Sequence, residues 1–369
     1  MITRELLRRE WPLALDAATA ALFLAFGSTW LGDLASAGWF AFVTSWLLAV
    51  ILISAFAVVR HAESLAVRLG EPLGTLILTL SVTGVEVMMI AAVMYAGSGG
   101  SELARDAMFA VVMIVMNGMV GLSLVLGGLR HREQSYNLQG ASAFLAVIIP
   151  LAVLGLVLPD FTMTTPGPML SSKQSIFLIV MALALYAVFL VIQNLRHKDY
   201  FVAPGRVAND ARGNHALELR SAKHHAGFLI AYLVPLVILA KQFGKPIQHG
   251  ITVFGAPPAL AGLIVAALVL SPESVGAVRA AVANELQRSV NILLGSVLAT
   301  ISMTIPAVLT IGLATHQPIT LGLDAVDTLL LVLTLAVSMI TFASARTNVL
   351  SGAVHLVLFL AYLMLIFEK

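Results

Sequence analysis

Apolar stretches of about 20 residues recur along this chain, the length at which a helix crosses roughly 30 Å of hydrocarbon. Read against the polar breaks between them, they give eleven expected spans, at 11–31, 38–59, 73–96, 107–128, 138–158, 174–194, 226–243, 255–278, 289–313, 322–342 and 349–367 of 369 residues. Backbone surrounded by lipid must satisfy its own hydrogen bonds, and no alternating barrel pattern is present, so every span is expected to be a helix. Composition agrees. Only 11% of the residues are charged, against about 25% in a soluble domain, and the mean hydropathy is +0.97. The expected fold is an all-α integral membrane protein, with the lipid bilayer as its main partner. A net charge of +2, without a basic cluster interleaved with aromatics, gives nucleic-acid binding no support. There is no cysteine, which excludes disulfides, thiolate nucleophiles and thiolate metal sites.

Arg4, Arg8 and Arg9 ahead of the first run, and Ala35-Ser36-Ala37 after it, faintly resemble a cleaved leader. The run is longer than a leader's apolar region. Trp11 and Trp30 stand at its two ends as interfacial anchors would, so it is expected to be a retained first span.

The 21 basic residues fall unevenly about these spans. Arg4, Arg8, Arg9, Arg60, Arg68, Arg130, Arg132, Arg196, Lys198, Arg206, Arg212, Arg220, Lys223, Arg279, Arg288 and Arg346 flank one side. Arg105, Lys173, Lys241, Lys245 and Lys369 flank the other, a division of 16 against 5 among the 21. Positive charge favours the cytoplasm. The protein is therefore expected in a cell's inner membrane with its N-terminus in the cytoplasm and, after an odd number of spans, its C-terminus outside.

The longest polar stretch, 195–225, carries His215, His224 and His225 and reads as a solvated cytoplasmic linker. It divides the chain into residues 1–37 with the first span, a five-helix repeat at 38–194, and a second at 226–369. An odd number of spans per repeat makes the two insert with opposite orientation. Weak internal likeness supports this: Pro72-Leu-Gly74 leads to Glu86 as Pro258-Ala-Leu-Ala-Gly262 leads to Glu273. In the next spans NGMVGLSLVLG from Asn117 answers SVLATISMTIP from Ser296. Transporters built from inverted repeats place their ion site at the repeat interface.

Glu86 and Glu273 are acids near the centres of ILTLSVTGVEVMMIAAVM and LAGLIVAALVLSPESVGAV. Acids at such depth are costly and functional by default, and no basic residue is expected at the centre of any span to pair with them. Ser81, Thr83 and Gly84 precede the first acid; Ser271 and Pro272 precede the second. Helix breaks are expected at both places, since proline removes a backbone donor and frees a carbonyl. Hydroxyls, freed carbonyls and two carboxylates form a hard-oxygen set suited to calcium, sodium or protons. Burial favours the protonated carboxyl and a bound cation the ionised one, so one shared pair would hold metal or protons but seldom both. Asp16, near the end of the first span and outside the repeats, is expected at the interface. Met88, Met89, Met113 and Met116 near the acids read as packing.

Several stretches are similar to one family. LVLGGLRHREQSYN and SIFLIVMALALYAVFLVIQNLRHKDYF resemble signatures of the Ca2+/H+ exchanger (CAX) family, a branch of the cation/Ca2+ exchanger superfamily. Glu273 stands 22 residues before Gly295-Ser296, close to the spacing of that family's acid and Gly-Ser motif. SARTNVLSG, from Ser344, resembles its late motif, and the forms around both acids are most like the bacterial ChaA-type cation/proton antiporters. The resemblance covers nearly the whole chain after residue 38. It implies that Glu86 and Glu273 are the essential acids and metal ligands, and that Thr83, Asn117 and Ser296 flank them. Leu270 and Thr83 stand where the family carries asparagine, Ala299 beside Thr300 where it carries glutamine, and Ser351 where it often carries glutamate. Fewer oxygens weaken a calcium cage, which leaves sodium and potassium open as substrates beside calcium.

The function expected is cation/proton antiport by alternating access, with inorganic cations and protons as cargo and no cofactor. A cation channel using the same site is the near alternative. An intramembrane acid/base enzyme is the alternative of another class; TWLGD at 29–33 lacks the glycine of a GxGD protease motif.

Overall fold

The computed structural model describes residues 9–70, 73–95, 102–204 and 221–368. Of the residues weighed above, Arg4, Arg8, Pro72, Arg206, Arg212, His215, Arg220 and Lys369 lie outside them. Eleven helices occupy the eleven expected spans: α1 Trp11–Trp30, α2 Ala37–Leu69, α3 Leu73–Tyr95, α4 Leu103–His131, α5 Leu138–Phe161, α6 Ser172–Arg196, α7 Ala222–Phe254, α8 Ala259–Val282, α9 Leu286–Thr315, α10 Ala325–Thr341 and α11 Val349–Phe367. Among the described residues, nine are long and apolar enough to cross a membrane, and Ile77–Ala91 of α3 and the whole of α10 are shorter apolar helices.

The helix ends follow local chemistry. Pro12 opens α1, where its missing N–H costs nothing. Ser171 and Gln174 form a reciprocal capping box on α6, and Asn137, Asp324 and Asn348 cap α5, α10 and α11 through their side chains. Gly255, at φ +62°, ends α7 in the left-handed region that favours glycine. Phe26, Trp30, Trp39 and Phe42 form a chain of ring contacts around the α1–α2 turn, with the Trp39 indole N–H donating to the Trp30 carbonyl at 2.9 Å. Such a cluster suits a membrane–water boundary.

Two expectations about boundaries need correction. Helices α2 and α7 each run for 33 residues, about 50 Å at 1.5 Å per residue, well past the apolar stretches 38–59 and 226–243. Hydrogen bonding carries a helix on through polar residues once it has left hydrocarbon, so α8 starts only at Ala259. His224 and His225 also belong to the first turn of α7 and not to a solvated linker, because Ser221 caps that helix by accepting from the His224 N–H.

The chain divides into two compact units. The first comprises Met1–Leu103 and Ala216–Pro272; it contains α1, α2, α3, α7 and α8 as far as Pro272. Its α2 and α7 pack on each other and on α1 and α3. The second comprises Ala104–His215 and Glu273–Lys369, with α4–α6, the rest of α8, and α9–α11. The units cut across the two sequence halves: the first half places α2 and α3 in one unit and α4–α6 in the other, and the second half places α7 in the first and α9–α11 in the second, with α8 divided at Pro272.

In the second unit α4 and α9 are the central helices, with 78% and 72% of their apolar windows buried. Gly121 of α4 and Gly352 of α11 meet backbone to backbone. A Cβ on Gly352 would stand 2.7 Å from the Gly121 carbonyl oxygen, the small-residue contact by which membrane helices approach closely. Strands β1 (Gln134–Ser135) and β2 (Arg346–Thr347) pair antiparallel beside this contact. They join EQSYN of one sequence half to SARTN of the other. Tyr136 Oη donates toward the carbonyls of Thr341 at 3.1 Å and Ser344 at 2.5 Å. Gln134 Nε2 donates to the Ala281 carbonyl at 2.8 Å. These signature residues hold helix ends together.

Candidate functional site

Within the first unit, Thr83 and Glu86 lie one turn apart on α3 and so share a face; each is only 3% exposed. A carboxylate this enclosed needs ions, protons or hydrogen bonds in place of water. Beside them, a Cβ on Gly84 would meet nothing within 4 Å. Ser81 turns back into the helix, its hydroxyl donating to the Ile77 carbonyl at 2.6 Å.

Within the second unit, Glu273 follows Pro272 on α8, and its Oε2 accepts a short hydrogen bond from the Ser296 hydroxyl of α9. Thr300, one turn beyond Ser296 and 2% exposed, continues the polar face of α9 toward Thr304. The sequence pairing of Glu273 with Ser296, which came from a spacing of 22 residues, is thus a direct contact.

One expectation about these residues is corrected. Neither acid-bearing helix is broken: α3 runs continuously from Leu73 to Tyr95, and α8 runs through Pro272 from Ala259 to Val282. A proline in mid-helix removes only one N–H, here the donor to the Leu268 carbonyl, and the ladder on either side holds the helix. The Ser271 hydroxyl donates to the Ala267 carbonyl of its own helix at 2.5 Å, which leaves its oxygen lone pairs to accept or to coordinate. Asp16 is fully buried, with the equally buried Ser54 of α2 as its neighbouring hydroxyl.

The irregular backbone lies elsewhere, in wide π turns at Met113–Met119 of α4, Val153–Val157 of α5 and Ile192–Arg196 of α6. Such turns often mark functional positions. Asn117 sits in the first of them, 0% exposed. Its Nδ2 donates to Thr334 Oγ1 at 2.8 Å, and its Oδ1 is 3.1 Å from His355 Nδ1. His355 Nε2 in turn is 3.0 Å from Thr341 Oγ1. Asn117 therefore anchors α4 to α10 and α11. Sequence reasoning missed His355. A histidine within an apolar run was the signal that could have exposed it.

Comparison with known proteins bears on what this geometry serves. The sodium/calcium exchanger protein family matches residues 38–195 and 224–368. The sodium-potassium/proton antiporter ChaA of Escherichia coli (strain K12) is 42% identical over 319 residues, covering 86% of each chain. A relative from Sinorhizobium fredii, named for ionic transport as y4hA, is 42% identical over 311 residues and covers 84% of each. Among solved structures, native YfkE superposes with a TM-score of 0.73 at 20% identity, covering 97% of this chain and 100% of that one. The H+/Ca2+ exchanger CAX gives a TM-score of 0.63 at 17% identity, covering 94% and 88%. At these identities the two structures speak for the fold.

Proposed function

We propose that this chain, which belongs to the sodium/calcium exchanger family, is a secondary active antiporter that moves a cation out against protons moving in, with Glu86 and Glu273 as the acids both cargoes share. One observation carries this reading. Each sequence half places a single carboxylate on an unbroken apolar helix at a corresponding position, one 3% exposed beside Thr83 and the other held by Ser296. A carboxylate that is alternately ionised around a cation and neutralised by a proton couples the two fluxes without further machinery. Thr83 and Ser296 supply neutral oxygens, and Asn117 supports the α4 turn.

Sodium or potassium fits the oxygen set at least as well as calcium. Calcium takes six to eight oxygens, and the Leu270 and Ala299 side chains supply none. The 42% identical relative is named for sodium, potassium and protons, which agrees. The basic-residue asymmetry supports an inner-membrane orientation with the N-terminus in the cytoplasm and the C-terminus outside, with residues 38–194 and 226–369 as inverted repeats. The test is transport in everted vesicles: an imposed proton gradient should collapse on adding Na+, K+ or Ca2+, each tried alone across pH. Cation flux that neither drives nor is driven by protons would make the protein a channel.

A further inference from the structure

Away from the two acids, the first unit contains a second buried group of titratable side chains, at the helix ends nearest the N-terminus. Glu10 precedes α1, Arg60 and His61 lie late in α2, and His225 and Tyr232 lie two turns apart on α7. Glu10, His61, His225 and Tyr232 are 9%, 2%, 5% and 0% exposed. Glu10 Oε2 collects three neighbours: Arg60 Nη2 at 2.7 Å, Tyr232 Oη at 3.0 Å and His61 Nε2 at 3.2 Å. His61 Nδ1 stands 3.1 Å from His225 Nδ1. A cavity of about 10 Å3, lined by Arg9, Glu10, Arg60, His61, Ser64, His224 and His225, opens beside them, room for roughly one water.

Hydrogen-bond logic orders these groups. Two ring nitrogens at hydrogen-bond distance require one donor and one acceptor. With the carboxylate as the strongest acceptor present, His61 Nε2–H donates to Glu10, which leaves its Nδ1 to accept from His225 Nδ1–H. Arg60 Nη2, 3.3 Å from the same His61 nitrogen, then serves Glu10. His61 is satisfied on both sides and neutral. One more proton fits on the other nitrogen of His225, where the resulting imidazolium still donates through His61 toward the Glu10 charge. Burial by itself would raise the Glu10 carboxyl, but the Arg60 charge and the His61 and Tyr232 donors outweigh it and hold the group below its ordinary value. The carboxylate therefore persists as a counter-charge. The nitrogens of His225 and His61 and the Glu10 carboxylate are tied to one another in a chain of hydrogen bonds, and the ligand such a chain suits is the proton.

We propose that His225, His61 and Glu10 form a proton-binding site distinct from the two membrane acids, loaded from the face that carries the N-terminus, whose occupancy tightens the tie between α1, α2 and α7. The other charged or titratable groups nearby are Arg9 ahead of α1, Arg60 and the exposed Glu63 on α2, and Lys223, His224 and Tyr232 on α7. Asp16 lies deeper on α1, and Glu86 is the titratable group on the described side chains of α3. Because α3 packs on both α2 and α7, a firmer tie restrains the helix that bears Thr83 and Glu86, and exchange slows in acid. This last step rests on the antiport reading; the proton site itself does not.

Two measurements on the full chain separate them. In 15N-histidine spectra of the detergent-solubilised protein, His225 should take up a proton between about pH 5 and 8, and Glu10→Gln should lower that midpoint by about one pH unit or more. A His225 signal that stays neutral throughout, or one indifferent to Glu10→Gln, overturns the site even if the protein exchanges ions. In proteoliposomes at saturating cation, where competition at the acids is relieved, acidifying the N-terminal face should slow the wild type about fivefold, at the low end of allosteric couplings. His225→Gln should abolish that slowing and keep the alkaline rate. Identical saturating-rate profiles in the two proteins refute the link to transport. Should His225→Gln fail to fold, Tyr232→Phe, which removes one donor to Glu10, is expected to shift the same profile, and no shift counts against the link equally.

Discussion

Glu273→Gln separates the functional from the structural role of the second acid. The substitution nearly preserves volume and keeps an oxygen for the Ser296 hydroxyl, so the fold loses only the charge-assisted part of one hydrogen bond. A bond to a charged group contributes about 1.5–3 kcal/mol and a neutral one about 0.5–1.5 kcal/mol, so the partly buried pair should lose roughly 1 kcal/mol of stability. The cation loses far more. A unit charge about 4 Å away at an effective dielectric near 20 interacts by about 4 kcal/mol, which at about 1.4 kcal/mol per decade is a roughly thousandfold loss of affinity. The proton carrier is removed as well. Cation-driven proton flux in proteoliposomes should vanish at concentrations that saturate the wild type, while the melting temperature in detergent moves by only a few degrees. Glu86→Gln should do the same, and the double variant no worse, because residues acting as one unit are strongly non-additive. Near wild-type flux in either folded single variant would refute the shared-carboxylate mechanism, whatever the family.

Other substitutions test the scaffold around the acids. Tyr136→Phe withdraws the hydroxyl from the Thr341 and Ser344 carbonyls and should cost about 1–3 kcal/mol, seen as a lower thermal midpoint with exchange per folded molecule unchanged. Gly352→Ala puts a Cβ 2.7 Å from the Gly121 carbonyl oxygen and from the Val125 nitrogen. It should cost about 1–3 kcal/mol of overpacking or more, and an unaltered midpoint would mean that α4 and α11 separate easily. Pro272→Ala returns the missing donor to the Leu268 carbonyl and should change apparent cation affinity more than the yield of folded protein. Unchanged affinity would exclude that carbonyl as a ligand.

The spans were legible because lipid imposes one rule on every residue inside it, so apolar length alone located all eleven helices. What the rule does not govern stayed hidden. Beyond the hydrocarbon a helix continues or stops by capping and local hydrogen bonding, which is why α2 and α7 overran their apolar stretches and why Ser221, an unremarked serine, moved two histidines from linker into helix. The π turns left no trace in sequence, since one extra residue in a turn changes neither hydropathy nor propensity. Hydroxyl direction was equally invisible: Ser271 and Ser296 both neighbour an acid on paper, but one bonds its own backbone and the other bonds Glu273 across a helix pair. Asn117 marks the deeper limit, because its partners Thr334 and His355 lie 217 and 238 residues away along the chain. A single sequence can nominate a buried amide as a ligand. Only tertiary structure reveals that this amide ties α4 to α10 and α11, a role that no spacing in the sequence announces.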